Sequence, residues 1–323
     1  MVLNHFSITP FPPGRDRGFD FLGTLGSDTW AIEAKFYRTQ RAQATLIETA
    51  ALRLNHRGVT AQATKGMLVV SCYLPIQLRL QLEKDFNLTF IDGADLANWA
   101  ASDPALLSEL QSLLETSPDD LSQVRSSQHP PVLSGKPLTE ASLPENTEGS
   151  DLCKELRKLG RGKKHWPAYE RLCERILRYL FPNDLHGWHR QKRTDDGLNR
   201  FDFVCRIRTT TDFWQFVAQH LDSRYVVFEF KNYTGKIKQG QVLTTEKYLL
   251  EKALRRVAII FSRDGADKQA IIMTQGAMRE HGKFMLILDD DRVCQMLHMK
   301  ERGEDPTDCL FDVADDFMLA LPR

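Results

Sequence analysis

Long hydrophobic runs are missing from this sequence. No apolar stretch approaches the roughly 18–20 residues that a membrane helix needs. The opening MVLNHFSITPFPPGRDR lacks the apolar core of a secretory signal. The expectation is a cytoplasmic protein with no membrane partner. Cysteine is sparse, with six in 323 residues: Cys72, Cys153, Cys173, Cys205, Cys294 and Cys309. None forms a CxxC pair and no histidine cluster completes a zinc pattern, so reduced structural thiols are expected. An excess of either charge is absent too. The 43 basic and 43 acidic residues cancel, which argues against a chain held to nucleic acid by bulk charge.

The charge that is there is unevenly spread, and an uneven spread can still make a local basic surface. Residues 154–164, KELRKLGRGKK, carry six basic residues and one acid. Residues 189–193, HRQKR, form a second basic cluster, and the charged residues of 301–316 are mostly acidic, seven acids against one base. The acidic stretch is expected to solvate a surface. Trp166 and Trp188 are expected in core packing, with base stacking as the alternative.

The length suggests two domains, and the 42% hydrophobic content is ordinary for a globular chain. Residues 117–150 are rich in Ser, Pro, Thr and Glu with almost no periodic apolar positions. They read as a flexible linker with a reach of roughly 30–35 Å. The expected organisation is therefore a domain over 1–116, a linker over 117–150 and a second domain over 151–323.

Both halves alternate strand and helix patterns. Residues 19–25 and 30–36 read as strands, 42–55 as a helix, 67–72 as a strand, 75–86 as a helix and 88–91 as a strand before a last helix over 94–101. In the second half, 166–180 reads as an amphipathic helix. Residues 201–207 and 225–230 read as strands, and 208–224 as a hairpin extension between them. Residues 240–254, 268–280 and 291–299 read as helices around strands at 257–261 and 284–288. Parallel strands joined by helices imply an α/β sandwich in each half, with a mixed central sheet.

One strand ending occurs twice. Residues 31–37 read Ala-Ile-Glu33-Ala-Lys35-Phe-Tyr37, and residues 227–233 read Val-Phe-Glu229-Phe-Lys231-Asn-Tyr233. Strand residues two apart share a face, so each motif sets a carboxylate beside an ammonium on a segment otherwise fit for burial. A bare Glu-x-Lys is ordinarily an exposed cross-strand ion pair. Here the flanks are apolar, and buried charge is costly unless paired or metal-bound. An offset of 196 residues superimposes Glu33, Lys35, Tyr37 and Gln43 on Glu229, Lys231, Tyr233 and Gln239. The fold is expected to be duplicated.

Each motif follows an Asp on a candidate neighbouring strand: Asp20 lies 13 residues before Glu33, and Asp202 lies 27 before Glu229. Two carboxylates on adjacent strands repel unless a cation lies between them. A hard, oxygen-liganded ion such as Mg²⁺, with Mn²⁺ as a substitute, suits that pair. Such an ion polarises a phosphoryl oxygen and generates hydroxide from water. The Lys reaches the same space and can orient the water or offset developing phosphate charge.

Asp202, Glu229-Phe-Lys231 and a preceding helix with Glu170 resemble the PD-(D/E)XK nuclease superfamily over residues about 165–300. The resemblance implies that Asp202 and Glu229 are metal ligands and Lys231 the catalytic lysine. Glu170 would be an outer carboxylate, with Glu174 as its competitor. Residues about 18–101 resemble the Mrr-like restriction endonuclease branch, through Gly18-Phe-Asp20, Ile32-Glu33-Ala-Lys35 and the ending Thr89-Phe-Ile-Asp-Gly93-Ala-Asp-Leu96. Asp20 and Glu33 would then bind metal beside Lys35. The branch begins with a helix for which the 17 residues before Gly18, with their three prolines, leave no room, so the first domain is expected to be incomplete. Gln239 and Gln43 are implied as secondary groups that position water or phosphate.

The function implied is a metal-dependent endodeoxyribonuclease in prokaryotic restriction or anti-phage defence. DNA is the expected partner, and a homodimer or a larger defence complex the expected assembly. The alternative is a non-catalytic nuclease-like subunit that binds DNA or a partner protein. An RNA nuclease would keep the same site.

Overall fold

In the computed structural model the chain divides into two compact units. One comprises Met1–Asn146 with Arg302–Asp305, the other Thr147–Glu301 with Pro306–Arg323. The structure describes residues 6–10, 18–38, 41–114, 136–139, 145–190 and 201–322. Most of the expected linker, and the basic cluster from residue 191 onward, lie outside the described residues. Within the expected linker, Leu138 packs into the first core and its N–H donates to the Thr64 carbonyl at 2.9 Å.

The first unit runs β1 (Ser7–Pro10), β2 (Phe21–Leu25), β3 (Asp28–Lys35), α1 (Ala44–Thr60), β4 (Lys65–Val70), α2 (Ile76–Phe86), β5 (Thr89–Ile91), α3 (Gly93–Ala100) and α4 (Pro104–Leu114). Its sheet has the order β1-β2-β3-β4-β5. The β1–β2 and β2–β3 pairs are antiparallel, and the β3–β4 and β4–β5 pairs parallel. On one face α1 buries Leu46, Ile47, Ala50 and Leu54 against Ala31, Leu68, Val70 and Phe90. The other face gathers Phe6, Trp30, Ile32, Met67 and Ile91.

The second unit runs α5 (Glu148–Lys158), α6 (Trp166–Leu180), β6 (Leu185–Arg190), β7 (Phe203–Ile207), α7 (Asp212–Gln219), β8 (Tyr225–Lys231), α8 (Gln239–Glu246), β9 (Val257–Ser262), α9 (Lys268–His281), β10 (Phe284–Leu288), α10 (Asp290–Glu301) and α11 (Pro306–Leu319). Its sheet order is β6-β7-β8-β9-β10, with the same succession of two antiparallel and two parallel pairs. Phe228 and Phe230 face the core that α6 and α10 cover, while Val227, Ala258 and Ile260 face α8 and α9. Each fully buried Phe contributes about 2 kcal/mol by leaving water. The expected class, α/β with mixed central sheets in both halves, is what the structure shows.

Local chemistry sets the element ends. Asp267 caps α9 by accepting from the Ala270 N–H at 2.8 Å, and Gly282 ends it with φ +60°. Asp92 and Asp95 cap α3 reciprocally.

Several expectations are corrected. Residues 208–224 are not a hairpin extension. They hold α7, which buries Phe213, Trp214 and Val217. The expected helix over 240–254 stops at Glu246; a separate 3-10 turn covers Glu251–Ala253, and Leu254 ends that turn with a left-handed φ of 50°. Cysteine is not all free thiol: α5 and α10 bring Cys153 and Cys294 into a disulfide with Cα atoms 5.2 Å apart. The other four cysteines are buried and unpaired. The acidic C-terminal stretch is more than a solvated surface, since α11 buries Cys309, Leu310 and Ala314 and Asp305 is itself buried. Trp188 packs against Phe203 under the Arg178 guanidinium, in keeping with a packing role. Among the described residues no helix is long and apolar enough to cross a membrane.

Candidate active site

Strand register builds the same constellation in both units. Phe21 lies opposite Ile32, and Phe203 lies opposite Phe228. One residue further along each pair, Asp20 meets Glu33 and Asp202 meets Glu229. The Asp side chain then reaches across the ladder. Asp20 Oδ2 accepts the Ala34 N–H at 2.8 Å, and Asp202 Oδ2 accepts the Phe230 N–H at 3.0 Å. In each unit that N–H belongs to the residue between the Glu and the Lys. The Asp202 N–H also donates to Glu229 Oε1 at 3.4 Å.

The Glu and Lys pair directly. Lys231 Nζ lies 2.7 Å from Glu229 Oε2, and Lys35 Nζ lies 2.5 Å from Glu33 Oε1. Glu33, Lys35, Asp202, Glu229 and Lys231 are all buried, whereas Asp20 is exposed. Burial raises the Glu229 carboxyl to about 7; the Lys231 charge opposes that rise and the Asp202 charge adds to it. Glu33 is raised to about 7 by the same causes in the same order, with Lys35 and Asp20 in those roles. Burial works against the Lys231 ammonium, but Glu229 outweighs it and the net shift is upward.

The two sites differ at their margins. Lys35 also lies 3.1 Å from Glu304 Oε1, and Tyr37 donates from its hydroxyl to the Gly303 carbonyl at 2.7 Å. Gly303, with φ +74°, presses on α1 so closely that a Cβ would lie 2.4 Å from the Leu46 carbonyl oxygen. Tyr37 is therefore buried at 2% exposure, while its counterpart Tyr233 is 40% exposed. In the second unit, Asn232 follows Lys231 and binds the loop before α6. Its amide donates to the Gly160 and Gly162 carbonyls at 3.1 and 3.2 Å, and its own carbonyl accepts the Gly162 N–H at 2.8 Å. Arg263, buried, donates to Asn232 Oδ1 at 3.1 Å and to Asp290 at 2.7 Å.

The structure thus brings together Asp202, Glu229 and Lys231, and separately Asp20, Glu33 and Lys35. Glu170 is half-buried on α6, whose buried side packs against the Phe228 and Phe230 face of the sheet, opposite Glu229 and Lys231. Its competitor Glu174 pairs with Arg178 and Arg190 at 3.0 and 3.3 Å. Gln239 is the first residue of α8, exposed, and lines a cleft with Glu246 and Gln269. Gln43 is the half-buried N-cap of α1. Sequence reasoning missed Glu304, Asn232 and Arg263. Only Asn232 carried a signal, as a polar residue directly after the motif.

Among the described residues no group of three or more His, Cys, Asp or Glu side chains is placed to hold a metal ion. Each unit offers two carboxylates instead. That hard-oxygen set fits Mg²⁺, which keeps several waters and is commonly held by one or two carboxylates with substrate phosphates.

No protein-family profile matches the chain, and no curated protein matches it. Among solved structures, the chain has a likeness to the restriction endonuclease FokI bound to DNA, at a TM-score of 0.33 and 9% identity. The match covers 78% of this chain and 50% of that one, so it spans half the length of that protein, and at this level it carries no argument about function.

Proposed function

We propose that the second unit is a metal-dependent nuclease that hydrolyses DNA phosphodiester bonds. One observation carries the reading: a buried Glu229–Lys231 pair meets Asp202 across antiparallel strands. An exposed ion pair would need no such burial. Two carboxylates and one ammonium on one face of two paired strands supply the minimal groups for phosphoryl chemistry.

Asp202 and Glu229 would hold Mg²⁺, which supplies charge neutralisation at phosphate and an acidified water. Asp202 commits one oxygen to the Phe230 N–H, which orients the carboxylate and leaves the other oxygen for binding. Lys231, fixed by Glu229, directs a positive charge at the attacking water or the developing phosphate charge. The strand pairing holds these groups on rigid elements, which favours a fixed reacting geometry. A restriction or anti-phage setting agrees with this chemistry.

The test is plasmid nicking with Mg²⁺ by the intact chain and by Glu229→Gln, Lys231→Ala and Asp202→Asn. Loss of cleavage by about 10² or more in each variant is expected. Undiminished cleavage in the first two would remove the assignment.

For the first unit a second reading is favoured: a nuclease-like fold that binds rather than cuts. Lys35 already faces two carboxylates, Glu33 and Glu304, so its charge is spent within the protein. Lys35→Ala is expected to leave nicking intact.

A further inference from the structure

Two loops meet at the end of β8. The first, residues 160–165, is Gly-Arg-Gly-Lys-Lys-His, and the second, residues 232–238, is Asn-Tyr-Thr-Gly-Lys-Ile-Lys. Together they carry five Lys and Arg side chains and no carboxylate. Asn232 ties them with the three hydrogen bonds described above. Asp264 adds a second tie, accepting the Gly235 N–H at 3.0 Å and pairing with Arg161. Arg263 holds the approach to the first loop through the Leu156 and Leu159 carbonyls at 2.9 and 3.1 Å. Ile237 is buried beneath the second loop, its N–H bonded to the Gly265 carbonyl at 3.0 Å.

The pinning leaves specific side chains outward. Lys163, Lys164 and Lys238 are exposed, and no carboxylate among the described residues pairs with them. Lys236 is exposed too but lines a cleft that also holds the carboxylates of Asp264, Asp289 and Asp316. Tyr233 is 40% exposed and lies two residues beyond Lys231, in the second loop. Unpaired lysines on a flexible tail would be an ordinary solvated surface. Here Lys163 and Lys164 directly follow Gly162, whose N–H bonds to Asn232, the residue after Lys231, and Lys238 ends the loop that begins at Asn232.

We infer that Lys163, Lys164, Lys238 and Tyr233 form a preorganised contact for the sugar-phosphate backbone of duplex DNA beside Lys231. Lysines meet phosphates as point charges, and a tyrosine hydroxyl can donate to a phosphate oxygen. The loops are ordered before binding, so little conformational entropy is lost when a strand docks. The inference rests on the nuclease reading for its choice of DNA and not for the existence of the surface.

The test measures binding of a labelled DNA duplex to the full chain by fluorescence anisotropy, with chelator and without divalent metal, across a salt series. Each lysine that neutralises a phosphate contributes about −0.9 to the slope of log K against log salt. The triple variant Lys163→Ala/Lys164→Ala/Lys238→Ala is expected to flatten the slope by about 2 to 3 and to weaken binding at least tenfold near 0.1 M salt. The triple Arg variant is expected to keep the wild-type slope, and Tyr233→Phe to weaken binding a few-fold without changing it. An unchanged slope in the Ala variant, or tighter binding to anionic phospholipid vesicles than to DNA, would overturn the inference. Binding of this kind with no strand scission in any metal would sink the nuclease reading and leave the inference standing. Scission with an unchanged slope would do the reverse.

Discussion

Lys35 donates across 3.1 Å to Glu304, a residue 269 positions further along the chain. Glu304 also takes both ends of the Arg302 guanidinium, at 2.8 and 2.7 Å. Burial opposes the Glu304 charge, but Arg302 and Lys35 outweigh it and hold its carboxyl below the usual range. A depressed carboxyl stabilises the fold above the unfolded value, near 4.5, and that contribution is lost as pH falls through the folded one. Glu304→Gln is therefore expected to cost about 1 kcal/mol at pH 7 in urea unfolding, and the cost should vanish in acid. A cost that persists unchanged at pH 3 would contradict this.

Glu229 and Glu33 carry the opposite linkage. Their folded values, about 7, exceed the unfolded value of 4.5. Between those values the native state holds protons that the unfolded chain has released, so stability falls as pH rises through the window. Carbon-detected NMR of the Glu side chains should show two midpoints near 7. Lys231→Ala is expected to push the Glu229 midpoint higher and Asp202→Asn to bring it lower, because Lys231 lowers it and Asp202 raises it. A Glu229 midpoint near 4.5 would show that the burial is not felt.

Cation binding should expel those protons. A carboxylate must be ionised to ligate, so Mg²⁺ affinity is expected to rise with pH up to about 7 and then level off. Calorimetry at pH 6 in buffers of different ionisation enthalpy should report net proton release on Mg²⁺ binding. The release should fall in Glu229→Gln. Equal heats in all buffers would refute the coupling.

Asn232 is expected to act through position. Asn232→Ala removes two donated hydrogen bonds and one accepted from Arg263, at a buried site. The expected loss is about 2–3 kcal/mol. Faster amide exchange in residues 160–164, with the β9 amides still protected, would mark a local loosening. Uniform exchange across the second unit would point to a general structural role instead.

The charged strands were legible because Glu33 and Glu229 interrupt apolar runs at positions where burial makes charge expensive. The neighbouring Asp residues were legible because they directly precede apolar strands, and the register then set them opposite the Glu residues. β1 and β6 were not legible. Ser7–Pro10 is four residues at an edge, and Leu185–Arg190 is interrupted by a register shift between His186 and His189. α7 has only eight residues, too few for a helical period to stand out from an alternating one. Glu304 reads as one acid in an acidic stretch until the fold sets it against Lys35. The Cys153–Cys294 pairing, 141 residues apart, leaves no mark in local spacing.

The strand order of each sheet follows the order of synthesis, β1 to β5 and β6 to β10. Every new strand therefore joins one already made, and no strand must be inserted between two that have paired. Strands that pair are neighbours along the chain, so the loop closed at each step is short and the entropy of closure stays low throughout. Each sheet can grow from one edge as the chain emerges, and its charged strand, third in line, is paired on its antiparallel side before its parallel neighbour exists.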